Sequence, residues 1–203
     1  MRLIAAIVMV GCANPALAEA FQFEPVAELP LALGDVPPSS EPTPTTTTKW
    51  GDAKSWAFNL SVGFADDFDN TSIVPAALGV SWFPIKMFSI DLQAEGAFIS
   101  QPVENAAGFG LALIVRWHFL DYETWSLYAD LGIGFLATTN DVPAGASSFV
   151  FTPRASVGAS FALTDQTRLL VGVGWYHISN AQTADANPGM NALQLYAGIS
   201  FGF

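Results

Sequence analysis

His177 and Ser179 stand two residues apart near the end of an apolar stretch. In an extended strand, side chains so spaced leave the same face, which lets an imidazole receive the proton of a hydroxyl. A serine activated in that way attacks ester carbonyls, so the chemistry to expect is acyl transfer to water. Asn191, past the following loop, shares a face with Leu193, Leu195, Ile199 and Phe201 on the next strand. Three polar side chains would then converge on one surface. Taken alone, a His and a Ser at a strand end equally describe two hydrogen-bonded interface residues, so the segments that carry them decide.

Those segments alternate. From Trp56 onward, runs of roughly 10 to 16 residues place apolar side chains against small or polar ones with a period of two, the strand signal. The first sets Trp56, Phe58, Leu60, Val62 and Phe64 against Ala57, Asn59, Ser61, Gly63 and Ala65. The fourth sets Leu111, Leu113, Val115, Trp117 and Phe119 against Ala112, Arg116 and His118. The seventh begins near Arg168 and ends at Ser179, and the eighth spans Asn191 to Phe203. Eight such segments predict an all-β chain closed as an eight-stranded antiparallel barrel, the even count that bacterial outer-membrane barrels require. Alternation alone also permits a soluble, lipocalin-like barrel with its aromatics inside. Three features favour the membrane. The apolar face is almost free of charge, Trp and Phe gather near strand ends, and Phe203 ends the chain on the apolar parity like an outer-membrane sorting signal.

Composition agrees. The 203 residues are 51% hydrophobic and 12% charged, yet the one continuous apolar run, Leu3 to Val10, is too short for a spanning helix. Seven Lys and Arg against 18 Asp and Glu give a net charge of −11, which argues against a nucleic-acid partner. A single Cys leaves no disulfide framework, and neither metal-ligand spacing nor a phosphate loop is visible, so no metal or cofactor is expected. Residues 1–18 read as a signal peptide, with Arg2, the apolar run, and Ala16-Leu17-Ala18 ahead of Glu19. Cleavage there leaves 18 acids against 6 bases, a charge of −12, and removes Cys12. Gly11-Cys12 offers a rival lipoprotein reading, which Met9 fits poorly. Residues 19–55 carry Pro37 to Pro44 and Thr45 to Thr48 and are expected to form an extended periplasmic linker. Residues 56–203 form the barrel.

Connections after the second, fourth and sixth segments are tight, and the others are longer. Outer-membrane barrels have short periplasmic turns and longer outer loops. The seventh strand therefore runs outward, and His177, Ser179 and Asn191 arrive on the lipid-contacting face at headgroup level. Polar groups there cost free energy unless they have a use, and a nucleophile with a base aimed into a leaflet points to an esterase acting on lipid. Asp91, Glu95, Arg116, His118, Asp130 and Arg154 share the inward face and are expected to form a salt-bridge plug. A structural or adhesive barrel without activity is the alternative reading, and charged interior side chains disfavour a narrow pore.

The string His177-Ile178-Ser179-Asn180-Ala181, followed by Asn187-Pro188-Gly189-Met190-Asn191, resembles the C-terminal signature of the PagL-type lipid A 3-O-deacylases, the acyloxyacyl hydrolase family. Looser similarity runs from Ser126-Leu127-Tyr128 through Phe149-Val150-Phe151, and the first half of the chain matches in barrel pattern only. The resemblance implies an eight-stranded outer-membrane barrel that hydrolyses the ester-linked 3-hydroxyacyl chain at position 3 of lipid A. It implies Ser179 as nucleophile, His177 as general base, and Asn180, with nearby backbone N–H groups, as oxyanion donor. Where the best-known member has a Glu to orient the His, this chain has Asn191. An amide orients an imidazole through its oxygen but supplies no charge, and Asp185 in the intervening loop is a second candidate. The outer loops carry Asp66, Asp67, Asp69, Glu104, Asp141 and Asp185 without a Lys or Arg, so a phosphorylated substrate would be held through its acyl chains or divalent-cation bridges. The expected partners are lipid A or a related glycolipid of the outer leaflet and the membrane itself, with homodimerisation left open.

Overall fold

The computed structural model describes residues 48–203. The expected signal peptide, Cys12 and most of the expected linker lie outside the described residues. Among the described residues nine strands are formed: β1 (Trp56–Asp66), β2 (Ser72–Ile85), β3 (Phe88–Ser100), β4 (Ala106–Asp121), β5 (Trp125–Thr138), β6 (Phe149–Phe151), β7 (Arg154–Ala162), β8 (Thr167–Ile178) and β9 (Met190–Gly202). Strands β6 and β7 are two parts of one barrel strand. Phe151 faces Phe135 and Arg154 faces Gly132 in unbroken register, and only Pro153, which has no N–H to give, interrupts the ladder. Every neighbouring pair is antiparallel, β1 pairs with β9, and β4 pairs with β5. The result is the expected all-β, closed, eight-stranded antiparallel barrel.

The two faces separate as the alternation requires. Trp56, Leu60, Val62 and Phe64 of β1 are exposed on the outside, while Ala57 is fully buried and Asn59 is buried in the lumen. Such a face is stable against hydrocarbon, and only a helix or a closed barrel satisfies its backbone there. At the short-turn end, Trp56 packs near Trp82, Trp117 near Phe119, and Tyr122 near Trp125, an aromatic girdle at one interface.

Three layers fill the lumen. Beneath the long loops lies an apolar cluster that includes Ile73, Ile99, Leu136, Val142, Val150, Ile178 and Met190. The middle layer is ionic, as expected. Arg116 grips Asp130 with two hydrogen bonds of 2.8 Å and lies 3.7 Å from Asp91, and Arg154 meets Glu95 at 2.6 Å. His118 stands apart from these pairs, with Nδ1 2.6 Å from Ser126 Oγ and its ring edge-on to Trp50.

Trp50 belongs to the stretch assigned to the linker, and its described part, residues 48–55, packs into the periplasmic mouth. The indole is buried against Phe83 and His118, lies 5.0 Å from the Arg168 guanidinium, and donates to Ser200 Oγ at 2.7 Å. Its backbone N–H donates to Asp165 O, and Met87 N–H donates to Gly51 O. The lumen is thus closed at this end by a segment that composition alone marks as unstructured.

Candidate active site

Strand β8 carries Trp175 and His177 outward, and Ser179 follows on the same side just past its end. Their inward neighbours fix them. Tyr176 is fully buried, its hydroxyl donates to Glu95 Oε1 at 2.9 Å, and the Arg154 guanidinium lies 4.7 Å from its ring centre. Ile178 is fully buried in the apolar layer. Side chains on a strand locked from within are held more accurately than side chains on a loop.

The β8–β9 ladder places His177 directly opposite Asn191. His177 Nδ1 lies 2.9 Å from Asn191 Oδ1, and the Trp175 indole N–H donates to the same oxygen at 2.8 Å. The Trp175 and His177 rings stack, with centroids 5.5 Å apart and planes 25° from parallel. The imidazole edge bearing Cε1 and Nε2 faces Gly189, whose φ is +60°. A side-chain carbon built on Gly189 would lie 3.4 Å from Cε1 and 3.8 Å from Nε2.

Ser179 is half-buried and hydrogen-bonds through its backbone to Phe151, donating at 3.1 Å and accepting at 2.7 Å. Phe151, Phe149 and Phe135 form a run of packed rings beside it, with centroid separations of 5.5 and 5.6 Å. No hydrogen bond joins the side chains of Ser179 and His177 among the described residues, and catalytic contacts commonly tighten only in the substrate complex.

Asn180 is not brought to this face. It is fully buried; its amide donates to Ala186 O at 2.6 Å, and its backbone N–H donates to Asn187 Oδ1 at 3.1 Å. Its amide oxygen accepts from Gln182 N–H, and its carbonyl accepts from Thr183. The residue braces the loop between β8 and β9. Period-two parity, which sends residues 177 and 179 outward, already sends residue 180 inward. Asp185 is exposed in the same loop and is not hydrogen-bonded to His177, whose Nδ1 meets Asn191. Sequence reasoning did not bring Trp175 into contact with Asn191 or Gly189 against the His177 ring, although Trp175 shares the parity of His177. Among the described residues, no three His, Cys, Asp or Glu side chains are grouped as a metal site needs.

A family model described as lipid A 3-O-deacylase (PagL) matches residues 43–200. The crystal structure of the outer membrane enzyme PagL superposes with a TM-score of 0.50 at 20% identity, covering 69% of this chain and 97% of that one. Neisserial surface protein A (NspA) superposes with a TM-score of 0.50 at 12% identity, covering 73% of this chain and 96% of that one. At these identities the structural likeness is one of fold. No curated protein sequence matches the chain.

Proposed function

The chain belongs to the lipid A 3-O-deacylase (PagL) family of outer-membrane barrels, and on that premise we propose that it is a serine esterase that removes the 3-O-linked acyl chain of lipid A. In this reading Ser179 Oγ attacks the ester carbonyl while His177 Nε2 takes its proton. The tetrahedral intermediate collapses to an acyl-serine, and the sugar hydroxyl leaves with the proton from His177. Water, deprotonated by the same nitrogen, then releases the hydroxy fatty acid and restores Ser179.

The observation that carries the reading is the pairing of His177 Nδ1 with Asn191 Oδ1 on the lipid face. It orients an imidazole where a buried structural histidine would have no reason to be. The Phe135, Phe149 and Phe151 rings beside Ser179 give an acyl chain an apolar wall. With both its backbone N–H and its amide engaged in the loop, Asn180 acts through the segment it braces, and backbone N–H groups there receive the oxyanion.

Charge bears on the substrate. The six Lys and Arg of the described residues are Lys49, Lys54, Lys86, Arg116, Arg154 and Arg168. All lie in the lumen or at the periplasmic end. A lipid already diffusing in the leaflet needs no long-range steering, so binding rests on acyl chains and on cations bridging the outer-loop carboxylates to phosphate.

Mass spectrometry of lipid A from cells expressing the wild type or Ser179→Ala tests the proposal. Loss of one hydroxyacyl chain with the wild type alone is the expected result. Unchanged lipid A with a barrel that keeps its heat-modifiable gel mobility would overturn it in favour of a structural barrel.

A further inference from the structure

We propose that Trp175 is a positioning residue of this site: its indole N–H holds the Asn191 amide oxygen toward His177 and thereby leaves His177 Nε2 free to act as the base. The inference rests on the reading of His177 as general base, and it concerns how an amide can orient that base.

An indole N–H has no acceptor capacity, so the Asn191 atom that meets Trp175 Nε1 at 2.8 Å is the oxygen. His177 Nδ1 meets that same oxygen at 2.9 Å, and must therefore carry a hydrogen. A neutral imidazole protonated at Nδ1 has its lone pair on Nε2. That nitrogen lies on the edge facing Gly189, where the absence of a side chain leaves room.

Without Trp175 the amide has no reason to keep this orientation. Turned over, it would present NH2 to His177 and favour the opposite tautomer, with Nε2 protonated and unable to accept the serine proton. With Trp175 present, the turned amide would set NH2 against the indole N–H, leaving two donors unpaired at a partly desolvated surface. A carboxylate at position 191 would need no such help, because both of its oxygens accept. The stacked indole adds a second effect: it limits rotation of the imidazole and presents a π face to the imidazolium formed during proton transfer.

The test uses the full-length protein in detergent micelles with lipid A as substrate, comparing the wild type, Trp175→Phe, Asn191→Asp and the double variant. Trp175→Phe keeps an aromatic ring but removes the N–H together with the pyrrole half of the indole, and is expected to lower kcat about tenfold with KM within about twofold. In the Asn191→Asp background, where no amide can turn over, the same change is expected to cost less than about twofold. Equal losses in both backgrounds would overturn the proposal, since lost packing acts whatever stands at position 191. Nitrogen NMR of His177 gives an arm independent of activity and of variant folding. The wild type is expected to show the Nδ1–H tautomer, and an Nε2–H tautomer would overturn the proposal. If Ser179→Ala still deacylates, the esterase reading fails, while the tautomer measurement still judges the Trp175 bond.

Discussion

Tyr176 Oη donates to Glu95 Oε1 at 2.9 Å across the lumen, and Tyr176 is the residue between Trp175 and His177. The outward side chains of the candidate site are therefore held in register from the inside. Glu95→Ala removes the acceptor of Tyr176 and the counter-charge of buried Arg154 together. Stranding a buried charge in this way costs about 3–5 kcal/mol. Urea unfolding in lipid vesicles is expected to show that loss, with deacylation falling alongside it. A variant as stable as the wild type would mean that the ionic layer does not support β8.

Asn191→Glu is expected to raise kcat. The carboxylate would keep the hydrogen bond to Nδ1 and add charge stabilisation of the imidazolium, on the order of tenfold in rate. Time courses of lipid A deacylation measure this directly. A slower variant would mean that the site is built around the amide.

Gly189→Ala strains the chain and puts a methyl group in contact with the edge of His177 that bears Nε2. The backbone there has φ of +60°, which costs a side-chain-bearing residue about 1–2 kcal/mol. The added carbon would lie in contact range, 3.4 Å from Cε1 and 3.8 Å from Nε2, and would cover the approach to that nitrogen, so kcat is expected to fall further than stability alone explains. Deacylation and unfolding measured on the same preparation separate the two effects.

The outer loop between β1 and β2 responds to acid through Asp67. Burial pushes its carboxyl up, but the N–H groups of Thr71, Asp69 and Asn70 and the Thr71 hydroxyl outweigh burial and hold it below its ordinary value. A depressed folded value means that the carboxylate's contribution is full above the ordinary carboxylate range and is lost as pH falls through the lower folded value. Hydrogen-exchange protection of the Asn70 and Thr71 amides is expected to persist down to that range and to fall only below it. Protection lost at higher pH would assign the loop's order to other contacts.

The barrel was legible because lipid imposes the same demand on every strand. Trp56 to Phe64 and Leu111 to Phe119 alternate so regularly that strand count and face follow from parity, while direction follows from the alternation of short and long connections. The break at Pro153 was invisible in that pattern because it alters hydrogen bonding and leaves the register intact. At the site, parity placed His177, Ser179 and Asn191 correctly on one surface. Asn180 was expected at that surface on resemblance, although its own parity pointed inward. Trp175 sits on the lipid-facing parity of its strand, and nothing in a sequence tells a lipid-anchoring indole from one hydrogen-bonded to a neighbouring strand. Trp50 was hidden by the proline- and threonine-rich stretch before it, because composition averages over a window and a single anchor residue does not.

The position of Trp50 also bears on assembly. Strands β1 and β9 meet at the seam where the barrel closes, and Trp50, just ahead of β1, donates to Ser200 on β9 while its backbone reaches Asp165 ahead of β8. These contacts span the seam, so all of them are made together only in the closed barrel. The segment thus clasps the two sides of the seam, and the burial of its indole reports a closed barrel.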